Sequence, residues 1–318
     1  MVHGVLPAKG APGNPGARQV TEGESRALIR AMPVVFVVVW STGFIVAKYG
    51  MPYAPPMKFL LVRYLLSIAC FLPWIFFARV RWPSNRSQWL HLAVTGIFMH
   101  AGYLGGVWAA VKAGLGSGLA ALIVGLQPVL TALWLASAGG KIAPRQWVGL
   151  LLGFAGLVMV VSRKFGQGSE ANGINLTLAV GALLSITLGT LYQKRFVTPC
   201  DVRTASTVQL GAAFLVTLPL ALMEIESMQW NTNLAGAMVW SVLVLTLGGS
   251  SLLYMFIQRG AAASVTSLMY LVPPVTAFMA WMLFEEPIAL TTLAGTVITA
   301  VGVALVVKQV TVTAPKSF

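Results

Sequence analysis

The chain has 318 residues, 57% of them hydrophobic and only 9% charged, with a mean hydropathy of +0.81. Soluble domains carry about 25% charged residues, so too few charges are present to coat a water-facing surface, and lipid must be the solvent. The net charge of +13 and pI near 10.2 would suggest nucleic acid in a soluble chain. Here the basic residues lie in short stretches between apolar runs, the placement of positive-inside loops, and nucleic acid is set aside as a partner.

Residues 1–31 are expected to form a disordered cytoplasmic tail. Gly4 to Gly16 is rich in Gly, Pro and Ala and lacks the long apolar core of a signal peptide. A helix needs about 20 apolar residues to cross a bilayer. Ten such spans follow in order, at 32–50, 59–78, 88–110, 116–137, 144–162, 174–194, 203–223, 235–257, 264–284 and 288–308. Short connections rich in turn formers separate them, such as Met51 to Pro56 and Arg81 to Asn85. Residues 311–318 form a closing tail. With a cytoplasmic N-terminus, only Lys48, Lys58, Arg63, Lys112, Arg163 and Lys164 of the 21 lysines and arginines fall to the outer side. The expected topology is therefore multi-pass in the cell inner membrane, with both termini cytoplasmic.

The halves repeat. At a constant offset equal to the separation of Lys48 and Lys194, Gly43 meets Gly189, Pro73 meets Pro219 and Gly102 meets Gly248. Further along, Pro128 meets Pro274, Gly149 meets Gly295 and Gly156 meets Gly302. Five spans per half is an odd number, so the second half enters the membrane from the opposite side. The expected fold class is an all-α membrane protein of ten transmembrane helices in two inverted five-helix repeats, residues 32–164 and 174–310. Inverted repeats suit secondary transporters, since each half can adopt what the other leaves.

Several residues inside the spans carry candidate chemistry. Pro128 interrupts the fourth span after Gln127, and Pro273 and Pro274 interrupt the ninth after Tyr270. Matched breaks point to a midplane site, and equally to packing kinks. Lys48 and Lys194 stand at equivalent helix ends, where a lysine can snorkel. Arg63 lies inside the second span, and its equivalent is the neutral Gln209. It could attract a substrate carboxylate or pair with Glu286. His100 is a titratable group deep in the third span, either a packed residue or a proton relay. Trp40, Tyr103, Trp108, Tyr192, Tyr254 and Tyr270 lie within spans and could line an amphipathic cavity or simply pack. Gly149 and Gly153 have GxxxG spacing, which suits close helix approach within one chain or between chains. No metal, cofactor or catalytic motif is legible, so the chain is not read as an enzyme, and transport would run on a gradient.

The stretch Trp40-Ser-Thr-Gly-Phe-Ile-Val-Ala-Lys48-Tyr-Gly resembles the first helix of the EamA-type family within the drug/metabolite transporter superfamily. Ala54-Pro-Pro-Met-Lys-Phe-Leu-Leu-Val-Arg63-Tyr resembles its proline-then-arginine second helix, and the run from Val272 through Glu286-Pro287 to Gly302 its C-terminal signature. The resemblance covers residues 32–308. It implies ten helices, inverted five-helix repeats and movement of amino acids, other metabolites or amphipathic compounds. One departure stands out. The acid that often ends the fourth helix of the first half is replaced by Gly139-Gly140-Lys141, and only the second half keeps it, at Glu286.

The expected function is alternating-access transport of small amphipathic metabolites such as amino acids, outward. Trp40, Tyr103, Trp108, Gln127, Tyr192, Tyr254 and Tyr270 would bind substrate. Lys48, Arg63, His100 and Glu286 would supply charge or coupling, and Pro128, Pro273 and Pro274 would gate. The alternatives are a passive facilitator or channel and a multidrug exporter of amphipathic cations. The expected partners are a small-molecule substrate and membrane lipids, with the protein a monomer or homodimer.

Overall fold

The computed structural model of the protein describes residues 34–137, 139, 143–164, 171–249, 251–252, 271–286 and 289–307. The described chain is helical over most of the expected spans. Helix α1 runs Val34–Gly50 and α2 Pro56–Phe77. Helix α3, Arg86–Gly96, passes through a π-helical segment, Ile97–Gly102, into α4, Tyr103–Lys112. Then come α5 Ser117–Val124, α6 Gln127–Ser137 and α7 Pro144–Lys164. The second half holds α8 Gly173–Phe196, α9 Val202–Met223 and α10 Thr232–Val239, which continues as a second π-helical segment, Trp240–Gly248. Helices α11, Val272–Phe284, and α12, Leu290–Val307, follow. Among the described residues, six helical stretches are long and apolar enough to cross a membrane, and four shorter apolar helices accompany them.

Local sequence chemistry sets the helix starts. Asn172 caps α8 through a reciprocal capping box with Asn175, and Asn231 caps α10 by accepting from Leu234 N at 2.8 Å. Asp201 caps α9, accepting from Arg203 N and pairing with the Arg203 side chain at 2.8 Å. That guanidinium holds the Asp201 carboxyl below the usual carboxylate range, while burial pushes the neighbouring Cys200 thiol up.

Apolar helices in lipid gain little from hydrophobic burial against one another, so small residues and shape decide the packing. Helices α7 and α12 meet on their glycines. A Cβ at Gly302 would strike the backbone of Gly149 and Gly153, and one at Gly295 would meet Gly156 O and Val160. The GxxxG spacing thus serves packing within the chain. These contacts ascend α7 while descending α12, so the two equivalent helices run antiparallel. The same holds for α2 and α9. Glu224 at the end of α9 reaches the start of α2, and Arg203 at the start of α9 lies over Trp74 near the end of α2, 5.3 Å from its ring centre. The interior is filled by Phe59, Leu60, Tyr64, Trp108 and Leu119 through Ile123, with Phe59 stacked on Trp108 at 4.4 Å.

The prolines fall at helix breaks. The fourth span is two helices, because α5 ends at Val124 and α6 begins at Gln127. Pro128 therefore sits in the first turn of a new helix, where its missing N–H breaks no bond, instead of kinking a continuous one. Pro273 and Pro274 likewise occupy the first turn of α11. The breaks meet: Gly125 leaves room that a side chain would take from the ring of Pro273.

Candidate functional site

The two π-helical segments occupy matching places in the two halves. The repeat offset carries Met99 onto Leu245, His100 onto Thr246 and Gly102 onto Gly248. Their neighbours match as well, since Gly43 of α1 lies against Leu245 and its equivalent Gly189 of α8 lies against Met99 and Phe98. A π-helical turn adds a residue, widens the helix and displaces carbonyls from the regular ladder. Side chains take up those carbonyls here. Ser185 Oγ donates to Phe98 O at 2.9 Å, Tyr64 OH to His100 O at 2.8 Å and Thr246 Oγ1 to Ser241 O at 2.9 Å.

A polar cluster forms where these segments cross α2 and α9. Arg63 of α2 donates to Thr246 Oγ1 of the second segment, from Nε at 3.3 Å and from Nη2 at 3.2 Å. Gln209 of α9, the equivalent of Arg63, comes close to His100 of the first segment. The two pairings match under the repeat, since 63 maps onto 209 and 246 maps onto 100. His100 and Tyr103 both lie within electrostatic reach of Arg63. The Ser67 hydroxyl, one turn beyond Arg63 on the same face of α2, and the Ser241 hydroxyl are buried without a hydrogen-bond partner.

Glu286 does not pair with Arg63. It pairs with Lys48 of α1, and its Oε1 also accepts from Ser117 N at the start of α5, at 3.2 Å. The reason is the turn after α11. Glu285 adopts a left-handed conformation with φ 54°, and Glu286 N returns to Ala280 O at 3.4 Å. That swings the Glu286 carboxylate over the α5 N-terminus, where unpaired N–H groups favour an anion. Gly116 lacks the side chain that would crowd the carboxylate, and Gly114, at φ 96°, makes the turn that brings α5 there.

Of the residues expected from sequence, the structure gathers Arg63, His100 and Tyr103 into one cluster. Lys48 and Glu286 join each other at one end of the bundle. Gln127 Nε2 donates to Thr190 Oγ1 at 2.8 Å, linking α6 to α8. Trp108 is buried in packing on Phe59, and Trp40 stacks on Phe36 one turn away at 5.3 Å. Tyr192 lies elsewhere, its hydroxyl 2.9 Å from His91 Nδ1 near the start of α3. Tyr254 and Tyr270 fall outside the described residues. Thr246, Tyr64 and Ser241 were missed. For Thr246 the signal existed, because the repeat offset applied to His100 lands on it. An apolar groove of about 600 Å³ beside Leu72, Phe76, Phe77 and Trp82 holds none of this cluster.

Apolar helices that turn their few polar groups toward one another define a multi-pass α-helical membrane protein. The chain belongs to the EamA-like transporter family, whose model matches residues 30–162 and again residues 173–308. Chain and relatives align over most of their lengths. An uncharacterized transporter of Archaeoglobus fulgidus is 26% identical, over 85% of this chain and 93% of that protein. A probable amino-acid metabolite efflux pump of Salmonella typhimurium is also 26% identical, over 85% of this chain and 92% of the pump. A solved crystal structure 18% identical in sequence shares the fold with a TM-score of 0.62, covering 88% of this chain and 96% of the other. Family and relatives point to transport rather than catalysis.

Proposed function

We propose that the protein is an alternating-access secondary transporter that moves small amphipathic metabolites, amino acids among them, outward across the cell inner membrane. The helices are read as ten spans in two inverted units, with both termini on the cytoplasmic face. The observation that carries the reading is the matched pairing across the halves, the bond from Arg63 to Thr246 and the approach of Gln209 to His100. Each half contributes one partner from a regular helix and one from a π-helical segment. A rocking of one half against the other would disturb both contacts together and open one end as it closes the other. Substrate contacts are assigned to Arg63, His100, Tyr103, Gln209 and Thr246. The matched helix starts at Pro128 and Pro274 are the points of bending. The Salmonella relative, named as a probable amino-acid metabolite efflux pump, favours this substrate class and direction.

Counterflow in proteoliposomes tests the reading. Vesicles loaded with unlabelled amino acids should take up labelled amino acids saturably, and P128A combined with P274A should slow exchange about tenfold. Flux that neither saturates nor shows counterflow would identify a pore, and absence of flux from folded protein would rule out this substrate class.

A further inference from the structure

Arg63 is a buried cation without a counter-ion among the described residues. Its side chain is 7% exposed, and it donates two hydrogen bonds to a single neutral hydroxyl, leaving guanidinium N–H groups unused. The described carboxylates are all engaged or placed elsewhere. Asp201 holds Arg203, Glu224 holds the N–H groups of Met57 and Lys58, and Glu226 holds Lys112. Glu286 holds Lys48, and Glu285 is exposed in the turn after α11. A guanidinium kept out of water demands an anion. If the chain does not supply it, the ligand can.

The repeat says what kind of anion. At the position equivalent to Arg63 stands Gln209, which is uncharged and lies close to His100. The cluster therefore has one guanidinium pole and one amide pole, where a fully symmetric duplication would have two guanidiniums. We infer that Arg63 anchors a singly charged carboxylate of the substrate while Gln209 and His100 face the remainder, which carries no second negative charge; this deepens the transporter reading above and rests on it. A planar carboxylate fits the guanidinium fork and can displace or share the Thr246 hydroxyl. A phosphate monoester brings more charge than one arginine balances. A dicarboxylate would leave its second charge at Gln209. An amphipathic cation would meet Arg63 as a like charge, with no described carboxylate in the cluster to offset it.

The test is counterflow with matched pools. One pool holds phenylalanine, leucine and phenylacetate, and a second holds their amides. Further arms hold tetraphenylphosphonium, phenyl phosphate and phenylsuccinate. The carboxylate pool should exchange and the others should not. R63Q should cut carboxylate exchange ~10-fold or more, as expected when a buried charged partner is lost. R63K, which keeps the charge, should retain part of it. Q209R should extend exchange to phenylsuccinate. The carboxylate-to-amide comparison uses the wild-type protein, so it stands even if R63Q fails to fold. Equal exchange of amides, phosphonium or phenyl phosphate, or carboxylate exchange unchanged in a folded R63Q, would overturn the Arg63 assignment and leave the carrier standing. Exchange in no arm would overturn the carrier reading itself.

Discussion

The two ends of the bundle are built on the same repeated plan and closed by different chemistry. At the end that carries Glu286, carboxylates tie the halves together. Glu286 binds Lys48 and the α5 N-terminus, and Glu224 accepts from Met57 N at 3.0 Å and Lys58 N at 2.9 Å. Glu226 pairs with Lys112 at 2.7 Å. At the opposite end the described links are mainly uncharged. Gln88 donates to Thr198 O at 2.7 Å and accepts from Thr198 N at 3.1 Å, and His91 meets Tyr192. The ion pair there, Arg203 with Asp201, stays within the start of one helix. The repeat offset explains the contrast, since Glu224, Glu226 and Glu286 stand where the first half has Ala78, Val80 and Gly140. Duplication set the scaffold, and divergence at three acids made its ends unequal. Charged hydrogen bonds are stronger than neutral ones, so the Glu286 end is the more strongly linked one.

The most severe way to break the contrast is to remove the buried acid. E286Q strands Lys48 and weakens the anion at the α5 N-terminus. The expected cost is about 2 kcal/mol, less than for a fully buried pair because Lys48 keeps a third of its side chain exposed. A cysteine at Ser117, now fully buried, should be alkylated faster in E286Q, and the charge swap K48E with E286K should restore protection. No change in alkylation would remove Glu286 as a clasp.

E224A comes next. It takes both charge-assisted acceptors from the first turn of α2 and should lower stability by about 1 kcal/mol, read as a lower melting temperature in detergent. A78E should work in the opposite sense. It places an acid at the exposed position equivalent to Glu224, near the start of α9 and the Arg203 that lies over Trp74. A gain of about 0.5 kcal/mol is expected, with slower exchange because both ends are now charge-linked. Faster exchange in A78E would contradict the comparison.

The effect confined to a single helix start concerns Asp201. Its folded pKa lies below the unfolded value because Arg203 stabilises the carboxylate. The contribution is fully present above about pH 4 and is lost as pH falls through the depressed value. D201N should cost about 0.5–1 kcal/mol near neutral pH, and its melting temperature should fall less than the wild type's on acidification below pH 4.

Much of this architecture can be read along the chain. Hydropathy marks the apolar spans, and the repeat places Gly149 opposite Gly295 and His100 opposite Thr246. The helix break at Gly125 and Leu126 is less legible. Pro128 announces an interruption, but whether a proline kinks a helix or starts one depends on the neighbouring bonds. The π-helical segments are invisible in sequence, because Ile97–Gly102 and Trp240–Gly248 are as apolar as ordinary helix. Aromatic residues are no easier to place from sequence, where nothing shows that Trp108 stacks on Phe59 or that the Tyr192 hydroxyl meets His91.

By itself the sequence determined the solvent, the helical class, the doubled plan and the short list of charged residues inside it. Those properties are local sums or fixed offsets along one chain. Only the tertiary structure decided which charges meet. Arg63 and Thr246 are 183 residues apart, and Lys48 and Glu286 are 238 apart. Their partnerships depend on how the halves cross and on one left-handed turn at Glu285. Arg63 and Lys48 compete for the same few acids, so the geometry that gave Glu286 to Lys48 also left Arg63 with a hydroxyl.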